Sequence, residues 1–378
     1  MIQQSILSLL DDYRSKTQDP IKLLPSLLEA ARADNNNCWI SVTDDQQLNV
    51  YLAKLEGESP DSLPLFGVPF AVKDNIDLAG LATTAACPAF SYEPTESATV
   101  VQLLINAGAI PLGKTNMDQF ATGLVGVRSP EPWGACKNSL NEAMISGGSS
   151  SGSAVALAKG YVCFSLGTDT AGSGRIPAAF NNLVGLKPSK GLLSTKGVVP
   201  ACASLDCVSI FALNSEDANH VLNIAAQFDE QDPWSRKNPY SNGPRYFNPA
   251  IKTFTFAVPE ENQLAFFGDA SAQSEFKNAC EALTEKGRII ITTESSVSLG
   301  GVNYAAITVE DNGPGISQEM QQQLFSPLKS TKGNHHSGLG LSIVNKLVTE
   351  MNGSIVCRSH TQSSTGSTGT QFQILLPK

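Results

Sequence analysis

The sequence predicts an α/β protein in two unlike parts, a mixed sheet flanked by helices and then a smaller α/β sandwich. Three observations predict it. From about Leu63 to residue 260, helical stretches alternate with short apolar runs and glycine turns, the pattern of strands packed between helices. Beyond that, four β-rich runs (GRIIITTESS, YAAITVEDNG, GSIVCRS and GTQFQILLP) are interleaved with helical patterns near 316–325 and 338–352. At 378 residues with 41% apolar content, the chain can bury one large core or two ordinary ones.

Taken in order, residues 1–60 read as helices, with Ile6, Leu9 and Leu10 and then Leu24, Leu27 and Leu28 at helical spacing. LPLFGVPFAVKDNIDLAG is β-rich, with glycine and proline at its turns, and TVVQLLINAGAIPLGKTNMDQF reads as helix, turn and strand. SEFKNACEALTEKG, residues 274–287, is an amphipathic helix with Phe276, Ala279 and Leu283 on one face and Gly287 as its C-cap. SHTQSSTGSTGTQ is a polar, hairpin-like loop, and no internal repeat is present.

A net charge of −9 without clustered Lys or Arg argues against a nucleic-acid footprint. Asp11 and Asp12 interrupt the apolar stretch that an export signal needs, and no run of 18 apolar residues is long enough to span a membrane. A cytoplasmic location is expected. The eight cysteines form no C-x-x-C pair and the four histidines do not join them, so reduced thiols are expected and a zinc site is not.

The chemistry concentrates in GGSSSGSAVALAKGYVCFSLGTDTAGSGR, residues 147–175. A flexible linker is one reading of a Gly/Ser tract. This tract instead runs directly into an apolar helical segment and a strand, as a backbone shaped for close approach would. A serine nucleophile needs a base. The first 300 residues hold one histidine, His220, in the helical SEDANHVLNIAAQ. The alternative is Lys73, in the apolar strand VPFAVKDNID, where desolvation would lower its pKa. Alone, a strand-end lysine is as readily a salt-bridge partner.

Residues 60–270 resemble the amidase signature family, with GVPFAVKDNID, GGSSSGS and GTDTAGSGR matching its three motifs in order. The resemblance implies Lys73 as base, Ser149 as proton relay in a cis peptide and Ser173 as nucleophile. The backbone N–H groups of Thr170, Ala171, Gly172 and Ser173 would form the oxyanion hole. It implies hydrolysis of a small amide without a cofactor. TDTAGSGR, PACASLDCVSIFA, DEQDPWSR and AFFGDA are closest to the allophanate hydrolase branch. There Arg175 would bind a substrate carboxylate, or alternatively brace its own loop. One departure is the run Glu131, Pro132 and Trp133 before Gly134, where the branch has one aromatic residue. Amide-transfer proteins that act on charged tRNA share this core.

The C-terminal stretch resembles a different family. VEDNGPGI, LFSPLKSTKG, SGLGLSIVNKLVTEMNGSI and GTQFQILLP are similar to the ATP-binding domain of sensor histidine kinases. The resemblance implies Asp311 on the adenine amino group, with Gly313 and Gly315 beside the base. Lys332 would lie in a mobile lid with His335 and His336, and Gly338 and Gly340 would open a helix facing phosphates. NACEAL implies Asn278 as the Mg2+ ligand, with Ser274 standing where the family has a second polar residue.

The expected domains are therefore a helical segment over 1–60, an amidase core over 61–275 and an ATP-binding module over 276–378. Both halves are shorter than their families, and the phosphoaccepting histidine is absent, so phosphotransfer would need a separate phosphoacceptor protein. A shortened sheet exposes an edge that favours a homo-oligomer or aggregation. Three outcomes are open: an amidase with an ATP module, an ATP module beside an inactive amidase, or a chimera of two inactive fragments.

Overall fold

The computed structural model describes residues 2–237, 257–259, 263–284, 289–299, 302–311, 315–326, 340–360 and 369–377. They fall into two compact units, Met1–Asn248 and Pro249–Lys378.

The first unit is built on a six-stranded sheet. Its elements are α1 (Ile6–Ser15), α2 (Pro20–Arg32), β1 (Trp39–Val42), α3 (Asp45–Ala53), β2 (Pro69–Lys73), α4 (Thr99–Asn106) and β3 (Ile110–Thr115). They continue with α5 (Ser151–Ala158), β4 (Phe164–Thr168), α6 (Arg175–Phe180), β5 (Val184–Leu186), β6 (Val208–Ala212) and α7 (Ser215–Ala225). The strand order is β1-β3-β2-β4-β6-β5. β2 runs parallel to β3 and β4, and the outer pairings are antiparallel.

Local chemistry sets these elements. Ser5, Asp19 and Asp44 cap α1, α2 and α3 through their side chains, Pro20 takes the first turn of α2, and Asp44 with Gln47 forms a capping box. The apolar positions of α1 and α2 are buried as their spacing predicts. β2 and β4 are buried along their whole length, as interior strands covered on both faces are. Their rings Phe70 and Phe164 stack with centroids 5.0 Å apart.

The Gly/Ser tract is α5, not a linker. Ser151 to Leu157 are all buried, and a Cβ on Gly152 would overlap the Cys38 carbonyl and lie 2.5 Å from Asn116 N. The helix therefore seats backbone against backbone, which larger side chains in the tract would prevent.

The second unit carries β7 (Ala257–Val258), α8 (Ala270–Thr284), β8 (Ile289–Leu299), β9 (Val302–Asp311), α9 (Gln318–Gln321), α10 (Gly340–Glu350), β10 (Ser354–His360) and β11 (Gly369–Pro377). Its sheet order is β10-β11-β9-β8-β7, antiparallel except for β7 with β8. The helix predicted over 274–287 is α8, which starts earlier and lies wholly in this unit, while Gly287 falls outside the described residues. The units divide at Asn248/Pro249, ahead of the 275/276 change read from the sequence. The helix expected near 316–325 is only the single turn α9. Ser317 caps it, but its run of glutamines offers few apolar side chains to anchor further turns. The polar loop before β11 lies mostly outside the described residues. Among the described residues no helix is long and apolar enough to cross a membrane.

Gly152→Ala should destabilise the first unit by about 1–3 kcal/mol, the usual range for an overpacked core, because the three nearest neighbours of the new methyl are all backbone atoms. Thermal melting checks it, and an unchanged midpoint would contradict the close seating of α5.

Candidate active site

Three loops converge where β2, β3 and β4 end. β2 ends on Lys73, whose side chain is completely buried. Its Nζ lies 2.7 Å from Ser149 Oγ and 2.8 Å from Thr168 Oγ1 at the end of β4. Burial lowers its pKa from 10.5 to about 7, against the opposing pull of the Asp118, Asp169 and Asp206 carboxylates. A lysine poised there is neutral in a large share of molecules at neutral pH, and its lone pair can take a proton from the hydroxyl it touches.

Ser149 is buried, and the peptide joining it to Gly148 is cis. The Gly148 N–H donates to the Leu124 carbonyl at 2.9 Å, and the Ser149 carbonyl accepts from Asp118 N at 3.0 Å. Ser173 lies nearly buried in the loop between β4 and α6. Its carbonyl accepts from Ser150 N at 3.3 Å, which sews that loop to the residue following Ser149. Ser150 Oγ in turn bonds to the Thr168 carbonyl at 3.1 Å. Lys73, Ser149 and Ser173, far apart in sequence, thus occupy adjoining backbone segments.

Asp169 organises the Ser173 loop from inside. Its Oδ1 accepts from Gly172 N at 2.8 Å, and its Oδ2 accepts from Gly174 N and Arg175 N, each at 3.1 Å. Arg175 grips the same carboxylate with Nε at 2.9 Å and Nη2 at 3.0 Å, and Lys187 Nζ stands 3.2 Å away. Burial pushes the Asp169 pKa up, but the bonds from Arg175, Gly174 and Lys187 outweigh it and hold the carboxyl well below the usual carboxylate range. Thr170 Oγ1 donates to Asp206 Oδ1 at 2.5 Å, and Asp206 also accepts from Ala201 N and Cys202 N, which ties a second loop onto this one.

Two expectations bear on this loop. The Gly172 N–H points to Asp169 and so does not face an oxyanion, whereas the N–H groups of Thr170, Ala171 and Ser173 have no protein acceptor among the described residues. Of the two roles open to Arg175, the contact to its own loop is present, the guanidinium forking onto Asp169 through Nε and Nη2 while the side chain stays 54% exposed. His220 Nε2 meets the Pro64 carbonyl at 3.0 Å on an exposed helix face, consistent with a plain helix residue. The departure at 131–133 holds a cis Glu131–Pro132 peptide, and Trp133 packs beside Ala86, Met117 and Ala121.

Sequence reasoning did not single out Thr168, Asp169, Asp206 or Asp118. Asp169 and Thr168 sit inside the quoted GTDTAGSGR motif, so a buried-polar reading of that stretch was the available signal. Asp206 and Asp118 also stand in quoted stretches, PACASLDCVSIFA and TVVQLLINAGAIPLGKTNMDQF, but their links to Thr170 and to Ser149 are tertiary and left no signal.

In the second unit, Asp311 closes β9, paired with Ile289 of β8 and Thr370 of β11. Gly315 has φ of 76°, Gly340 opens α10, and Asn278 is exposed on α8. Gly313, Lys332 and Gly338 lie outside the described residues.

A family model described as Amidase matches residues 23–353, running past the 275/276 change. The chain is 49% identical over 292 residues to the urea amidolyase of Saccharomyces cerevisiae, covering 76% of this chain and 15% of that protein. It is 37% identical over 279 residues to a glutamyl-tRNA(Gln) amidotransferase chain of Streptococcus pneumoniae, covering 73% and 57% respectively. A solved Kluyveromyces lactis allophanate hydrolase matches with a TM-score of 0.70 at 31% identity, over 100% of this chain and 70% of that one. The chain thus spans under a sixth of the urea amidolyase and little more than half of the amidotransferase chain.

The Asp169 cluster has a pH signature. A carboxyl held below its ordinary value of 3.8 contributes stability that is fully present above that pH and is lost as pH falls below it. Asp169→Asn should therefore flatten the acid side of the stability profile, measured by denaturant unfolding between about pH 5 and pH 2. An acid slope identical to wild type would contradict the cluster.

Proposed function

The chain belongs to the amidase family, and we propose that it hydrolyses a small amide, with Lys73 as base, Ser149 as relay and Ser173 as nucleophile. The observation that carries this is the fully buried Lys73 amine 2.7 Å from Ser149 Oγ. Neutral Lys73 accepts the Ser149 proton while Ser149 accepts that of Ser173. The Ser173 oxygen bonds to the amide carbon, and the carbonyl oxygen takes the negative charge. The free N–H groups of Thr170, Ala171 and Ser173 are the donors offered to it, a device worth about 3–4 kcal/mol of barrier per donor in a known case. The C–N bond then breaks, the lysine proton returns through Ser149 to the departing nitrogen, and ammonia or an amine leaves. Water repeats the sequence on the ester, releasing the acid and restoring all three groups.

Similarity to a urea amidolyase and an allophanate hydrolase supports an N-carboxylated urea as the amide. Arg175, half exposed while it holds Asp169, remains a candidate for that substrate's carboxylate. No cofactor takes part in this chemistry. A cytoplasmic location belongs to the same proposal.

For residues 276–378 a second function is proposed: binding of ATP with Mg2+ in the manner of a histidine-kinase module, serving a separate phosphoacceptor protein. It is favoured by the separate sheet in which Asp311 ends β9 just ahead of Gly313 and Gly315. The amidase family match to residue 353 overlaps this region, so the nucleotide proposal rests on its own residues alone.

Ser173→Ala should lower ammonia release from allophanate or a simple aliphatic amide by at least about a thousandfold, as loss of a nucleophile does, and an active variant would overturn the mechanism. Because the base must be neutral, kcat/KM should climb about tenfold per pH unit up to about pH 7 and level off above it. For the second unit, a fluorescent ATP analogue should bind wild type and lose affinity about tenfold or more in Asp311→Ala, the loss expected when a charged hydrogen-bond partner of the ligand is removed. Equal binding would remove the nucleotide proposal.

A further inference from the structure

We propose that Asp118 is a positioning residue of the amide-cleaving site, holding segment 123–128 against Gly148 and Ser149 and thereby fixing the hydroxyl that Lys73 contacts. This rests on the reading of Lys73, Ser149 and Ser173 given above.

Asp118 follows β3 and is fully buried. Its carboxylate bonds to backbone: Oδ2 accepts from Gly126 N at 3.1 Å and Oδ1 from Arg128 N at 2.6 Å. Its own N–H donates to the Ser149 carbonyl at 3.0 Å, while Gly148 N donates to the carbonyl of Leu124, within the segment the carboxylate ties down. The relay peptide is therefore gripped from two sides, and Asp118 controls both grips.

Steric contact points the same way. A Cβ on Gly148 would overlap Asp118 Oδ2 and lie 2.6 Å from Gly126 N, and a Cβ on Gly123 would overlap the same oxygen. Segment 123–128 and the Gly148 turn both close on one carboxylate with no room for another side chain. Rotation of that carboxylate, or loss of one of its acceptor oxygens, would release the loop and with it the Gly148–Ser149 peptide.

The charge has a second effect. The carboxylates that favour a proton on Lys73 are, in order, Asp118, Asp169 and Asp206. Asp169 is engaged by Arg175 and Lys187, and Asp206 by Thr170 and two backbone N–H groups. Asp74, next to Lys73 in the chain, is paired with Lys114 at 3.3 Å. Asp118, like Asp206, is bonded only to neutral groups, so its charge is left to act on the lysine, and of the three it acts most strongly.

The test uses the full chain with Asp118→Asn and Asp118→Glu, reading ammonia release from allophanate and the rate at which a fluorophosphonate labels Ser173. Asn removes the charge and turns a donor toward Gly126 N. It should lower kcat and the labelling rate at least about tenfold with KM within about threefold, and move the acid limb of both profiles to lower pH. Glu keeps the charge but cannot occupy the same space, so rates should fall while the acid limb stays at the wild-type position. If Asp118→Asn is recovered unfolded, Asp118→Glu carries the test, and failure of both to fold assigns Asp118 to folding and overturns the proposal. Wild-type rates and an unmoved acid limb in folded Asp118→Asn also overturn it, with the catalytic reading intact. Absence of labelling in wild type, or equal labelling of Ser173→Ala, removes that reading and this inference with it.

Discussion

The desolvation of one amine governs the first unit. Lys73 ends a strand that is buried from Pro69 onward and lies between two others, so its ammonium has lost water on every side. Holding a lysine at a pKa of about 7 and not 10.5 costs roughly 5 kcal/mol of folding free energy near neutrality. That is comparable to the whole net stability of many domains. Between those two pH values the unfolded chain binds the extra proton, so stability rises with pH across the window. The surrounding sheet and its stacked Phe70 and Phe164 must offset this cost.

The carboxylates around the lysine are arranged to temper desolvation without cancelling it. None of the three that act on it is bonded to it, and each is bound elsewhere: Asp169 to Arg175 and Lys187, Asp206 to its loop, Asp118 to Gly126 and Arg128. A direct ion pair, such as the 3.3 Å contact of Asp74 with Lys114, would oppose desolvation more strongly. Lys73 is given hydroxyls at 2.7 and 2.8 Å instead, partners that can exchange a proton. Burial lowers the pKa of both lysines on these neighbouring strands, but Lys114 has the Asp74 carboxylate at 3.3 Å opposing it, whereas the bonded partners of Lys73 are hydroxyls.

Much of this was legible in the sequence because the chemistry demands particular residue types within short windows. Lys73, Ser149 and Ser173 each stand in a contiguous motif, and β2, α5 and β4 follow from unbroken apolar or small-residue runs. The orientation of single N–H groups was not legible. Gly172 was expected to face a substrate, but the carboxylate of Asp169, three residues earlier, captures it. Arg175 was left open between two roles for the same reason: a charged side chain goes to its nearest buried opposite charge, and that charge is visible only once the loop closes. In the second unit, the short α9 shows a helical pattern losing to a lack of apolar anchors.

Direct titration of the Lys73 side chain by NMR of [13Cε]lysine-labelled protein, assigned with a Lys73→Met variant, tests the central claim. A resonance with a midpoint near pH 7, absent from the variant, is the outcome this account predicts. A Lys73 resonance that titrates near the ordinary value of 10.5 would contradict it, because the amine would then be a permanent cation and no base for Ser149.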